Sequence, residues 1–215
     1  MSKDKQQERT TTERHGHTVN LTIKGVCKRC NNGWMSGMES AAKPHLEPLL
    51  LGRRTTLGAT AIEALAHWVV LKIMVHESIE PRECVFTRED TLRFAQDRYV
   101  PEGVYVWLFK TKELEPRAYC SRAFMNVSNV IGMLREKANV QTTVFVVGRL
   151  VIFFYCDRSK AQIAITEPSQ FRAKRLWPPR GPHVLWPPIK PVDESYVAEI
   201  ALGMRRFVQS RGLIV

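Results

Sequence analysis

The sequence predicts an α+β fold, and three observations carry that expectation. Residues 60–77 (TAIEALAHWVVLKIMVHE) favour helix and are apolar nearly all round, as expected of a helix central to a core. Four stretches after Pro101, at 104–109, 118–127, 140–147 and 150–156, are rich in β-branched and aromatic residues and read as strands. Residues 193–211 place Tyr196, Val197, Ile200, Ala201, Met204 and Val208 along one side of a closing amphipathic helix. A strand, then helices, then a run of antiparallel strands, then a helix is an α+β order.

The elements follow in chain order. Residues 1–17 are polar and rich in Thr and Gln, and read as a flexible arm. Residues 18–26 alternate Val19, Leu21 and Ile23 with polar neighbours, the pattern of a half-buried strand. That strand leads into Cys27-Lys28-Arg29-Cys30-Asn31-Asn32-Gly33-Trp34-Met35. Trp34, Met38, Ala41 and Ala42 then fall at helical spacing. Pro44 has no N–H to donate, so the helix is expected to end near Lys43, with a short second turn carrying Leu46, Leu49 and Leu50. Gly52 and Arg53-Arg54 punctuate the chain, which divides it into an arm (1–17), a strand-knuckle-helix unit (18–52) and an α+β body (53–215).

Within the body, Thr87-Arg88-Glu89-Asp90 resembles a capping box, with Asp90 in place of the usual Glu, and predicts a helix to about Arg98. Val147-Gly148-Arg149-Leu150 reads as a hairpin turn in which Gly148 is free to take positive φ. Leu-Trp-Pro-Pro occurs twice, ending at Pro179 and at Pro188. The prolines argue against helix and interior strand, so this stretch is expected to be an ordered, polyproline-like strap pinned by Trp177 and Trp186.

Composition narrows the function. The 215 residues carry 32 Lys and Arg against 21 Asp and Glu, a formal charge of +11. Apolar residues at 44% and charged residues at 25% are ordinary for a globular chain and exclude wholesale disorder. No apolar run reaches the ~18 residues of a membrane span, and the N-terminus lacks the apolar stretch of a signal peptide. Five cysteines with one close pair do not form a secreted disulfide framework. These features predict a reduced, cytoplasmic protein with no membrane partner, and the charge makes a polyanion the first partner to consider.

Cys27-x-x-Cys30 carries the chemistry. Two thiolates at this spacing, between a strand and a helix, can point at one ion about 2.3 Å away and so supply half of a tetrahedral zinc site. The same spacing serves redox dithiols, and two packed cysteines would also satisfy it. The redox alternative is weakened because no β-α-β pattern precedes Cys27.

The block Val26-Cys27-Lys28-Arg29-Cys30-Asn31-Asn32-Gly33-Trp34-Met35, followed by Glu39, resembles the second half of an HNH-type, treble-clef nuclease module. More narrowly it is similar to a group of bacterial and phage HNH-endonuclease-like proteins. These share the VCxxCNNGWM block, an apolar helix with a Trp like Trp68, and a late Trp-Pro-Pro like that at Trp177. The resemblance implies a partial treble clef with a structural zinc, of whose four cysteines Cys27 and Cys30 match two. It also implies a divalent ion such as Mg, Mn or Ni for phosphodiester hydrolysis, with Asn31 beside it and a histidine base on an earlier strand.

The chain departs from that pattern. It has no cysteine before Cys27 and no Glu/Asp-His-x-x-Pro segment. His15 and His17 are the nearest histidines, and His17 is a weak candidate base without the following proline. Imidazoles spaced His-Gly-His can also bind zinc or nickel. Either the first half of the module lies upstream of this chain or the module has lost its catalytic half. Both predict a chain that is not a competent nuclease by itself. Cys84, Cys120 and Cys156 sit in apolar stretches and read as buried small hydrophobes.

Among the other candidates, His67 and His76 are nine residues apart on one helix, so they face different sides and cannot share an ion. Isolated His45 and His183 carry no motif. Lys24, Lys28 and Arg29 cluster at the knuckle, Arg53 and Arg54 follow the next helix, and Arg172, Lys174, Arg175, Arg180 and Lys190 flank the strap with no acid among them. Such cations bind DNA or RNA phosphates, and Trp177 and Trp186 are candidates to stack on bases. The sequence therefore supports a nucleic-acid-binding, nuclease-related protein. The alternative is a non-catalytic binding protein for nucleic acid or a protein partner, for example in phage-host conflict.

Overall fold

A computed structural model describes residues 26–78, 84–112, 118–126, 138–159 and 167–210, the last seven by backbone alone. The α+β class holds: among the described residues a five-stranded antiparallel sheet lies between a helical layer on one face and the C-terminal helix on the other. Of the strand expected at 18–26, residues 18–25 lie outside the described residues, and Val26 sits in a bend that enters the knuckle.

The first described elements are α1 (Lys28–Cys30), a π-helical turn (Asn31–Met35) kinked at Gly33, and α2 (Ser36–Leu50). Here the sequence reading is corrected, because α2 runs through both Pro44 and Pro48 instead of stopping at Lys43. A proline inside an isolated helix costs about 3 kcal/mol. Two facts offset it. The carbonyls deprived of donors belong to Ser40 and Pro44, both exposed residues that water can reach. Met38, Ala42 and Leu49 bury one stripe of α2 in the core shared with the next long helix, which a helix broken at Lys43 would forfeit.

After β1 (Thr55–Gly58) comes α3 (Ala59–Glu77), with ten buried residues from Ala61 to Glu77. The expectation that no segment is long and apolar enough for a membrane span is corrected here: by length and composition α3 is such a helix, although half of it is buried within the protein. It contacts α2 on one side and strands on the other, which explains why it is apolar nearly all round.

The capping box is present on α4 (Arg88–Asp97): the Asp90 N–H donates to Thr87 Oγ1 at 3.0 Å and the Thr87 N–H to Asp90 Oδ2 at 2.9 Å. The helix closes on Arg98, which takes a left-handed φ of 60°.

The sheet contains β2 (Val104–Lys110), β3 (Ala118–Met125), β4 (Val140–Val147), β5 (Leu150–Asp157) and β6 (Ala173–Trp177), ordered β3-β4-β5-β2-β6. Strand alternation sorts the faces. Val104, Val106, Leu108, Ile152 and Phe154 face the helical layer, whereas Trp107, Phe109, Val151, Phe153 and Tyr155 share the opposite core with Val197 and Ala201 of α5 (Glu194–Ser210). Val147 pairs with Leu150 across a two-residue turn, with Gly148 at φ 56°.

The Trp-Pro-Pro stretch differs from the expected polyproline strap. Trp177 ends β6 and Trp186 ends β7 (His183–Trp186), each followed by a cis peptide bond to proline. The prolines forbid strand only at their own positions, and both strands sit where a chain can leave the ladder. β6 is a sheet edge, and β7 pairs not with β6 but with β1, in register from Thr55↔Trp186 to Gly58↔His183. The tryptophans do pin the strap: Trp186 is buried and Trp177 half-buried against the helical-side core.

Candidate functional site

The knuckle is built by one residue's backbone. Cys27 holds extended φ/ψ of −69° and 148° at the helix N-cap, so its Sγ swings back to accept the Cys30 N–H at 3.3 Å. The Asn31 N–H donates to the Cys27 carbonyl at 3.0 Å and closes the turn. Cys27 is exposed and Cys30 half-buried against the core. A hydrogen bond from the Cys30 side chain, with the Cys30 backbone N–H and the Arg29 charge, holds the Cys27 thiol below its ordinary range. A thiol poised toward thiolate is what zinc takes as a ligand.

Trp34 anchors the knuckle from behind. Its ring meets Phe94 edge-on at 6.3 Å and carries the Arg98 guanidinium 4.6 Å from its centroid. Sequence reasoning placed Trp34 at helical spacing with Met38 and Ala42 but had no signal for Arg98, whose position depends on the left-handed end of α4. On α2, Glu39 forms an ion pair with Lys72 of α3.

Asn31 is exposed next to Cys30, its Nδ2 donating to Asn32 Oδ1 at 3.4 Å. Lys28 and Arg29 are exposed beside it, and Arg53 and Arg54 are exposed between α2 and β1. His17 and Lys24 lie outside the described residues. Among the described residues no third His, Cys, Asp or Glu joins Cys27 and Cys30, so the knuckle as described offers two zinc donors.

The other cysteines stand elsewhere. Cys84 donates to the Glu77 carbonyl at 3.3 Å, burial pushes the Cys120 thiol up to about 11, and buried Cys156 is pushed further in the same direction. Of the histidines, His67 packs edge-on against Phe94 at 6.1 Å and burial lowers its pKa, while His76 Nδ1 lies 2.8 Å from Arg122 Nη1. Both are half-buried side chains with local partners.

The strap needs a correction of charge. Its cations are not free of acids, because Glu167, just upstream, holds Arg175 on Oε1 and Arg180 on Oε2. Arg175 also donates from Nε to the Pro178 carbonyl at 2.9 Å, and Arg172 lies over Tyr196 at 5.1 Å. Packing claims the Trp186 ring, which is only 3% exposed and has no face left for a base. Between β6 and β7 opens a cleft of about 310 Å³ lined by Trp107, Glu167, Lys174, Arg175, Arg180 and His183, among others. The sequence named three of those cations but gave no sign that one carboxylate would gather two of them.

No family model, curated protein or solved structure matches this chain.

Proposed function

We propose that this protein binds nucleic acid and that residues from Cys27 through α2 form part of an HNH-type treble-clef unit, related to nucleases but not a competent nuclease as this chain. The observation that carries the reading is the knuckle itself: Cys27 Sγ accepting the Cys30 N–H, with Lys28 and Arg29 exposed on the turn between them. In this reading Cys27 and Cys30 supply two of the four donors of a structural zinc, a metal that contributes folding energy and rigidity. Lys28, Arg29, Arg53 and Arg54 engage phosphates. Asn31 holds the position that HNH modules place beside a catalytic Mg, Mn or Ni ion, and it is the residue among those described that matches the catalytic pattern.

The test is salt-dependent binding. Four phosphate contacts on duplex DNA give a slope near −3.6 in log affinity against log salt, so affinity should fall about a hundredfold between ~50 and ~200 mM salt. Lys28→Glu with Arg29→Glu should weaken binding and flatten that slope. Salt-independent binding, or none, refutes the reading. With Mg²⁺, Mn²⁺ or Ni²⁺, cleavage should not exceed that of an Asn31→Ala control.

A protein partner is the second reading, favoured by Phe171, Leu185 and Ile189, which are 49%, 58% and 73% exposed on the strap. Pull-down onto the wild-type strap that is lost in Leu185→Ser with Ile189→Ser, together with absent nucleic-acid binding, would select it.

A further inference from the structure

We propose that the cleft between β6 and β7 binds a phosphate of a single nucleic-acid strand, and that Glu167 occupies the phosphate position as a built-in competitor for Arg175 and Arg180. The inference rests on the nucleic-acid reading and adds a second contact region with its own control.

Two guanidiniums converge on one carboxylate, Arg175 on one oxygen and Arg180 on the other. That is the arrangement by which arginines grip a phosphate, whose oxygens accept the same forked donors. Arg175 is already oriented, through its bond to the Pro178 carbonyl at 2.9 Å and its place 5.8 Å from the centroid of Tyr105. Ordering it on a ligand therefore adds little entropic cost. Arg180 is 64% exposed and can follow an incoming anion.

The charge balance leaves room for that anion. Lys174, Arg175 and Arg180 face a single acid among the cleft residues, Glu167, so two positive charges remain uncompensated. Exposed His183 lines the same wall. Trp107, stacked on Tyr105 and Phe153, forms part of the lining. At about 310 Å³ the cleft is at the small end of ligand sites, room for one nucleotide unit and not for a duplex. A strand would cross it, leaving one phosphate in place of the Glu167 carboxylate. Glu167 lies outside any helix or strand and 31% exposed, so no secondary structure has to break for it to withdraw.

The experiment measures anisotropy of a fluorescein-labelled oligothymidylate of ~20 nucleotides against wild type, Glu167→Gln and Arg180→Gln, from ~50 to ~200 mM salt. Removing the competitor frees two cations. Glu167→Gln should bind about fivefold or more tightly at ~100 mM salt, and its salt slope should steepen by up to ~0.7, the value for one added phosphate contact on a single strand. Arg180→Gln should bind less tightly than wild type. A folded Glu167→Gln with unchanged or weakened affinity overturns the site. If Glu167→Gln melts early, Arg180→Gln carries the test, since loss of an exposed side chain leaves the fold intact, and unaltered binding there also overturns it. The Lys28→Glu/Arg29→Glu protein separates the two readings: its failure to weaken binding counts against the knuckle alone, while a flat response to Glu167→Gln counts against the cleft alone. Absence of binding by wild type and Glu167→Gln alike overturns both.

Discussion

The Arg98 guanidinium lies over the Trp34 ring, 4.6 Å from its centroid, and through that contact the end of α4 holds the helix that follows the cysteine knuckle. Phe94, one turn earlier on α4, meets the same ring edge-on at 73°. The knuckle is thus fixed from a part of the chain some sixty residues away in sequence.

Trp34→Ala removes both contacts. A half-buried tryptophan with an aromatic and a cationic partner predicts a loss of about 2 kcal/mol, read as a lower urea midpoint at unchanged slope. The same substitution should speed alkylation at Cys30, which packs against the same core cluster as Trp34. An unchanged Cys30 rate would show that the knuckle holds its shape without Trp34.

The thiols should differ in reactivity. Exposed Cys27, held toward thiolate by Cys30, is expected to react with iodoacetamide at neutral pH at least tenfold faster than Cys120 or buried Cys156, whose thiols burial pushes up. Added Zn²⁺ should protect Cys27 and Cys30 together and leave the other three rates alone. Mass spectrometry of labelled peptides reads both effects, and protection of Cys27 without Cys30 would argue against a shared ion.

Glu77 predicts a pH dependence. Burial raises its carboxyl to about 7, against the pull of the Val85 and Phe86 N–H groups and Arg122, with Asp90 adding to the rise. The unfolded carboxyl titrates near 4.3–4.5, so between those values the folded chain holds the extra proton. This group's contribution to stability is therefore full below about pH 4.5 and lost as pH rises through about 7. Over that window wild type should lose on the order of 3 kcal/mol relative to Glu77→Gln. Parallel stability curves for the two proteins would show that Glu77 does not carry the effect.

Gly103 takes φ +80°, and a Cβ there would lie 2.1 Å from the Asp157 carbonyl oxygen. Gly103→Ala combines left-handed strain with a backbone clash that no side-chain motion relieves. It should cost about 2 kcal/mol or more and lower the melting temperature by several degrees. A melting temperature within a degree of wild type would mean that the turn relaxes freely.

What the sequence made legible was local. α3 follows from an apolar run, the start of α4 from Thr87 and Asp90 three residues apart, and the β4–β5 turn from Gly148 between two strand-like stretches. Each signal lies within a few residues of its effect. What stayed hidden depends on distant partners. α2 survives Pro44 because Ala42 and Leu49 are buried against elements the local pattern does not mention. β7 turns away from β6 to pair with β1, and no spacing rule encodes that choice. The site divides in the same way: Cys27 and Cys30 announce themselves by their spacing, whereas Arg98 on Trp34 and Glu167 between two arginines exist only once the chain has folded.

The pairing of β1 with β7 has a consequence during synthesis. Thr55 and Trp186 are roughly 130 residues apart, so β1 leaves the ribosome long before its partner strand is made. At about 5–20 residues per second the delay is on the order of ten seconds. Over that interval Leu57, buried in the finished protein, lacks its Val184 neighbour, and β1 has an open edge that invites pairing with other chains. Aggregation during expression should therefore track the speed at which residues 59–186 are translated, and chains stopped before His183 should be less soluble than the full-length protein.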